Sequence, residues 1–486
     1  MKKKILSLLL VAVMLFSFVT VNAEETTAVH PEEQQVIDYT NTFKKTVIRV
    51  YARDIAENYY YGISDEELLY AVICNAIEEN GVNLDKAIEA MINALGDRFA
   101  EFYTAEEYRE LTESISGEFS GIGVIITQDE MGALVNSVVK GGPAEKAGII
   151  MGDRIIGVNG QSVKGMEIDA IRKLVVGATD TEVIVRILRR NTEIDIPCVR
   201  GTVSMSNIET RMLNDDTAYL GILQFAQNTP EEIKEYLKEL NSKKISKLVI
   251  DVRDNPGGDL GAAVDIASLF ISTGNLAELR YKDKTLNTFI KSQNYNANRF
   301  KTVLLVNENS ASSSEFLATA FRTRKAAKII GTKTYGKGSM QSVQRLPNGA
   351  GMKYTVGEFY SSKGERIHTV GITPDIIVEN EMVMVDEDSF LDIDYSRMDE
   401  AGKDGEMNLA LEQRLHAVGV LAEDPDEVFD DATKEAVKVL QLSLGREVTG
   451  IPGFYEYLYM NDFDYEFETE VDHQLNAAIE YLAKQK

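Results

Sequence analysis

The chain has 486 residues, 44% hydrophobic and 26% charged, with 51 basic against 77 acidic side chains and a net charge of −26. One hydrophobic core does not organise that length, so about three or four domains are expected. A surface this acidic repels phosphate backbones and anionic lipid, which excludes nucleic acid as a partner class.

The first stretch, "MKKKILSLLLVAVMLFSFVTVNAEE", places three lysines ahead of an apolar run and the small-residue site Val21-Asn22-Ala23. This is the layout of a secretory signal peptide over 1–23, cleaved after Ala23, and it predicts export to the cell envelope or beyond. The alternative is a retained membrane anchor, since the run comes close to bilayer-spanning length. No cysteine follows it, so no lipoprotein anchor is expected. Cys74 and Cys198 are the two cysteines of the chain; they supply neither a disulfide framework nor a metal cluster and read as small buried hydrophobes.

Residues 32–115 read as helical. Phe43, Val47, Val50 and Tyr51 share a face, and "DEELLYAVICNAIEEN" and "LDKAIEAMINAL" repeat the spacing, with Gly81 and Gly96 as punctuation. The region is a small bundle or a homodimerisation arm. From Gly117 short alternating runs and turns take over, with one helix at Glu167–Leu174. The "GIGV" loop of Gly121, Ile122, Gly123 and Val124, then "GGPAEKAGI" and "GDRIIGVNG", closely resemble a PDZ domain over 117–200. Glycines let the loop's N–H groups converge on an anion, and a strand edge can accept an extended peptide. The resemblance implies a ligand with a free C-terminal carboxylate preceded by apolar residues.

Residues 201–380 alternate strand and helix: "SKLVIDVRD", then "NPGGDLG" and "AAVDIASLFI"; "KTVLLV", then "SSEFLATAFRTRKAA" and "AKIIG". That is a layered α/β domain with chemistry expected on the loops after strands. Residues 381–407 are strongly acidic and read as a linker with little fixed structure. Residues 408–486 return to helical periodicity. "FDDATKEAVKVLQLSLG" and "TGIPG" resemble a peptidoglycan-binding-like helical module, which implies glycan contact or a purely structural role.

"GTKTYGKGSMQ", Gly331 to Gln341, approximates a phosphate-binding loop. Position 338 is Gly where a magnesium-binding Ser or Thr would stand, and "PNG" cuts short any following helix. Lys337 is therefore not read as a phosphate ligand. Upstream, "NENSASSSEF" puts serines between a strand and a helix, and a nucleophilic serine needs a base. His368 is the one histidine in the α/β region, and no acidic partner for it is apparent, so a Ser-His-Asp triad is poorly supplied. A lysine serves if it is neutral. Its reference pKa of about 10.4 must fall to roughly 7–8, a shift of about 3.5–5 kcal/mol that burial can supply.

Taken together, "LVIDVRDNPGG", "NSASSSEF", "GTKTYGKGSMQ" and "GITPDI", in this order behind a PDZ-like region, resemble the carboxy-terminal processing peptidases, or tail-specific proteases. The resemblance is strong over about 90–380. It implies a multidomain α/β chain: a crotonase-like α/β peptidase core with an inserted PDZ domain, an N-terminal helical region and a C-terminal helical peptidoglycan-binding-like module. It implies Ser312 as nucleophile, Lys337 as general base and Gln341 as the group orienting the lysine. The oxyanion donors are the N–H of Ser313 and of either Gly257 or Gly258. Asp251 and Arg253 read as structural, fixing the oxyanion loop; Ser310 and Ser314 read as loop and capping groups. The expected activity is a serine endopeptidase that takes protein or peptide substrates by their free C-termini, with no cofactor and no metal. The rivals are a non-catalytic PDZ scaffold of the cell envelope and a crotonase-type enzyme acting on acyl thioesters.

Overall fold

A computed structural model of the chain describes residues 31–78, 81–129, 131–294, 297 and 299–485. The expected signal segment, 1–23, lies outside the described residues. No helix among the described residues is long and apolar enough to cross a membrane. The described residues fall into two compact units, one reaching Glu57 and including Ile63–Gly96, the other made of Asn58–Gly62 and the residues from Asp97 on.

The first unit carries the helices Pro31–Asn58, Asp65–Asn75 and Leu84–Ala94. Ser64 and Glu67 cap the second helix reciprocally: Ser64 Oγ accepts from the Glu67 N–H at 3.2 Å, and Glu67 Oε2 accepts from the Ser64 N–H at 3.0 Å. Such a cap contributes about 1 kcal/mol. Ile48, Ala52 and Ile55, Leu68 and Val72, and Ile88 and Met91 are buried at three- or four-residue spacing, one stripe per helix. Cys74 corrects the expectation of two buried cysteines. It is exposed, because two positions past Val72 is about 200° round the helix. Cys198 is buried.

The second unit begins with Tyr59–Tyr61 and the turn at Asp97. Glu101–Tyr103, inside the stretch expected to be helical, is a strand that pairs with Gly351–Ser361. Helix Ala105–Ser116 follows and ends on Gly117 at φ +75°. Strands Glu118–Gly121 and Gly201–Ser204 then pair with each other where the chain enters and leaves a β-domain. Within that domain the antiparallel order is Thr192–Val199, Glu182–Arg189, Arg154–Val158, Gly132–Val138 and Val124–Asp129. Val124–Asp129 is thus an edge strand. Val135, Ile155, Val185 and Ile187 fill the core with Ile171 from helix Ile168–Val175. The buried Arg200 donates to the carbonyls of Val175 at 2.7 Å and Leu174 at 3.2 Å, closing that helix's C-terminus with a cation.

The α/β region builds two sheets. One runs Ile208–Asn214, Thr217–Ile222, Lys247–Asp251, Lys301–Val306, Lys328–Gly331 and Ile376–Ile377; its first pair is antiparallel and the rest are parallel. The other is antiparallel, in the order Thr288–Ser292, Gly274–Tyr281, Gly351–Ser361 and Ser339–Arg345. Leu248, Ile250, Leu304 and Val306 point into a core shared with helices Thr229–Ser242, Leu260–Phe270 and Ser313–Arg324 and with Leu279 and Phe359 of the second sheet. Val249, Val303, Leu305 and Ile330 point the other way, onto Ala478 and Leu482 of the last helix, His473–Ala483. Strands buried on both faces read as continuous apolar runs, which is why "KLVID" and "KTVLLV" were legible. The crotonase-like core is corrected here. Strand–helix alternation does not say which strands pair, and four strands leave the parallel sheet for a separate antiparallel one.

Residues 381–407 are folded, unlike the linker expected from their charge. Glu381–Met384 pairs with Glu468–Val471, and Ile393 is buried against Leu411, Leu415 and Tyr465. Apolar residues spaced among the acids do the burying. Helices Glu406–Ala417, Asp431–Ser443 and Phe454–Asn461 make the rest of this small core. Gln441 pins the "TGIP" turn, accepting from the N–H groups of Thr449 at 2.8 Å and Gly450 at 2.9 Å.

Candidate active site

Ser312 ends the turn that follows strand Lys301–Val306 and opens helix Ser313–Arg324, with φ +54° and ψ −111°. For a side chain with a Cβ this backbone region costs about 1–3 kcal/mol and persists only where neighbours enforce it. They do so here: the Ala311 N–H donates to Asn255 O at 3.1 Å, and the Ser314 N–H to Ala311 O at 3.1 Å. Ser310 Oγ donates to Val252 O at 2.7 Å and Ser314 Oγ to Asn255 O at 2.9 Å. Ser310 and Ser314 are thus the loop and capping groups expected. The Ser312 N–H donates to Glu315 Oε2 at 3.0 Å, so the third residue of the helix caps its own N-terminus.

The "NPGG" loop packs on that turn. Gly257 has φ +106° and Gly258 φ +149°. A Cβ on Gly257 would stand 2.8 Å from Ser312 Cβ, and one on Gly258 would stand 2.4 Å from Phe225 O. The structure separates the two glycines. The Gly257 N–H donates to Asn255 Oδ1 at 2.8 Å, whereas the N–H groups of Gly258 and Ser313 reach no acceptor among the described residues. Asn255, buried, also donates from Nδ2 to Ile222 O at 2.6 Å. Asp251 and Arg253 act elsewhere than expected. Arg253 bridges Asp251, at 2.6 Å, and Asp472, at 2.7 and 2.8 Å, and so ties the start of the last helix to the sheet.

Lys337 lies in the turn between strands Lys328–Gly331 and Ser339–Arg345. The turn wraps the buried Glu315. Its Oε1 accepts from Thr334 Oγ1 at 2.6 Å and the Gly336 N–H at 2.7 Å, and its Oε2 accepts from the N–H of Lys337 at 2.7 Å and of Ser312 at 3.0 Å. One carboxylate therefore carries both the serine turn and the lysine turn. Burial pushes the Glu315 carboxyl up, while the four donors hold it down. Burial is also the main cause that lowers the Lys337 pKa, helped by the charges of Lys353 and Arg98 and opposed by Asp97 and Glu315. Behind the turn, a Cβ at Gly338 would stand 2.5 Å from the His368 N.

The lysine side is not closed onto the serine. Lys337 Nζ stands 4.6 Å from the centre of the Phe99 ring, and no hydrogen bond joins it to Ser312 or Gln341 among the described residues. The Gln341 amide donates to Ser339 Oγ at 3.1 Å and Thr355 Oγ1 at 3.2 Å. His368 is buried, its Nδ1 has no partner among the described residues, and burial lowers its pKa. Its acidic neighbour Glu358 is engaged by Arg366 at 2.7 and 3.0 Å. A histidine triad is not assembled. In the β-domain, the buried Ile122 accepts from the Ala144 N–H at 2.7 Å, and Gly123, at φ +78°, accepts from the Val139 N–H at 3.0 Å. Gly121 and Val124 flank them at the start of the edge strand.

Sequence reasoning missed Glu315 and Asn255. Both left a signal: Ser312 followed by Glu315 is the spacing of a capping box, and Asn255 opens an Asn-Pro-Gly-Gly turn.

Models of known families match three segments: "Peptidase family S41" over 216–378, "PDZ domain" over 134–189, and a peptidoglycan binding domain over 405–454. The class is thus a serine peptidase with a PDZ domain. A "Probable CtpA-like serine protease" of Staphylococcus aureus (strain MRSA252) is 32% identical over 376 residues, 77% of this chain and 75% of that protein. The same-named protein of Staphylococcus epidermidis is 33% identical over 370 residues, 75% of this chain and 74% of that one. A solved structure titled photosystem II D1 C-terminal processing protease aligns with a TM-score of 0.44 and 26% identity, over 68% of this chain and 92% of that one. The chain belongs to the CtpA-like peptidases of family S41. It is a serine endopeptidase whose PDZ domain serves recognition of C-terminal peptide, and its core is that of an S41 peptidase rather than crotonase-like. The peptidoglycan-binding match supports contact with peptidoglycan and a cell-envelope or extracellular location.

Proposed function

We propose that Ser312 is the nucleophile and Lys337 the general base. The observation that carries this reading is the Glu315 carboxylate, which takes backbone N–H groups of both residues and so holds two positions far apart in sequence on one buried anion. Neutral Lys337 takes the proton of Ser312 Oγ as that oxygen attacks the scissile carbonyl carbon. The oxyanion forms between the N–H groups of Gly258 and Ser313, which are free to donate and backed by the start of a helix. The Lys337 ammonium returns its proton to the leaving amine; water then cleaves the acyl-enzyme, with Lys337 as base again. Gln341 orients the amine after leaving the hydroxyls of Ser339 and Thr355.

The substrates are unfolded or loosely folded envelope proteins. Their terminal carboxylate meets Gly121, Ile122, Gly123 and Val124, and their backbone extends the open edge Val124–Asp129. Exposed Val50, Tyr70 and Ile73 support a homodimer contact through the N-terminal helices. The apolar run of 1–23 is removed on export or kept as an anchor, and the 408–486 region is the part that meets glycan.

Degradation of casein tests the dyad. Wild type cleaves it, while Ser312→Ala and Lys337→Ala, folded by circular dichroism, lose at least about 10³-fold. A Lys337→Ala variant of near-normal activity contradicts the base assignment, and an inert wild type favours the scaffold.

A further inference from the structure

Phe99 is the group in contact with the Lys337 amine, and no role in the reaction has been given to it. It sits in the turn Asp97–Ala100, which precedes strand Glu101–Tyr103. The turn is set by the Phe99 N–H donating to Asp97 Oδ1 at 2.9 Å and the Ala100 N–H to Asp97 O at 2.9 Å. Two cations share the Phe99 ring, the Arg98 guanidinium and Lys337 Nζ, each 4.6 Å from its centre. The His368 ring meets Phe99 edge to face at 6.3 Å, and Tyr61 lies against His368 at 6.3 Å. The ring is therefore wedged, half-buried, between the lysine turn and the buried histidine behind it.

An aromatic face attracts an ammonium and is indifferent to a neutral amine. A base that must be neutral to accept the Ser312 proton thus rests against a surface that rewards its charged form. We infer that Phe99 is a positioning residue that holds Lys337 as an ammonium away from Ser312, so that the lysine must leave the ring and give its proton to water before it can act. The inference rests on Lys337 being the base. The charged groups around the amine are Asp97 and Arg98 on the same turn, Glu315 on the serine helix and Lys353 on strand Gly351–Ser361. Around His368 stand Glu358 and Arg366, with Asp97 and Arg98 again. Burial lowers the pKa of Lys337 and the ring face opposes that shift.

The test keeps the ring's volume and removes its negative face. In the full-length enzyme, 3,4,5-trifluorophenylalanine replaces Phe99, and kcat and KM for a short fluorogenic peptide are followed against pH. The acid limb of kcat is expected to move down by about half a pH unit or more. At pH 7 kcat then rises about threefold or more with KM unchanged. Phe99→Leu, which keeps apolar bulk, moves in the same direction, and Phe99→Tyr restores the wild-type profile. The resonance of ¹³C-labelled Lys337, assigned by its loss in Lys337→Met, titrates in step with the kinetic limb. A limb and resonance unmoved by trifluorination, or moved upward, overturns the inference. A Lys337→Met enzyme that keeps its activity instead overturns the dyad on which it rests.

Discussion

The serine side and the lysine side of the site stand in different states of assembly. On the serine side Ser312 is strained, a Cβ on Gly257 or Gly258 would collide with a neighbour, and the N–H groups of Gly258 and Ser313 reach no acceptor among the described residues. On the lysine side the backbone is anchored as firmly, through Glu315, but the side chains are turned elsewhere, Lys337 to Phe99 and Gln341 to Ser339 and Thr355. Glu315 thus holds the backbone of both halves, and in the proposed mechanism side-chain rotation would separate rest from reaction.

This contrast can be broken at three places. Gly258→Ala strikes the finished half. Its Cβ falls 2.4 Å from Phe225 O, so the loop must shift and kcat should drop about 10²–10³-fold with little change in KM. Steady-state kinetics on a peptide substrate checks it, and a loss below tenfold would move the oxyanion donor to another group. Glu315→Gln strikes the joint between the halves. Each carboxylate oxygen accepts two donors, so an amide NH₂ would face two N–H or O–H groups, whichever way it turned. A loss of about 10²-fold in kcat and a stability loss of roughly 2–4 kcal/mol are expected, read by kinetics and urea unfolding. Arg253→Ala lies outside both halves. It removes the cation beside the buried Asp251, which keeps the Tyr219 hydroxyl and the backbone N–H of residue 253, and frees the Asp472 segment, costing about 3 kcal/mol of stability, while kcat per folded molecule stays within about twofold.

Much of this was legible in the sequence for local reasons. Continuous apolar runs mark strands buried on both faces, and the serine and lysine turns sit directly after such strands, so the turns could be placed from "KTVLLV" and "AKIIG", while the choice of Ser312 and Lys337 within them came from the resemblance to the processing peptidases. Pairing partners were not legible. Nothing in "GNLAELRY" or "GMKYTVGEFYS" says that they leave the parallel sheet, and the crotonase-like core came with the family resemblance. The acidity of 381–407 hid Ile393 and the strand Glu381–Met384, because net charge says little about where a few apolar residues point. The last helix was assigned to the tail module, yet Ala478 and Leu482 cover the outer face of the parallel sheet. Gly257 and Gly258 could be told apart only by which N–H Asn255 had already taken.

The central claim is that Lys337, once neutral, activates Ser312. The direct measurement is the rate at which a fluorophosphonate labels Ser312 across pH, in wild type and in Lys337→Met. Because burial lowers the Lys337 pKa, the wild-type rate is predicted to rise through one ionisation below the ordinary lysine value of about 10.4. In Lys337→Met that limb should vanish and the rate fall by about 10²–10⁴-fold. A Lys337→Met enzyme that keeps both the limb and the rate would contradict the account.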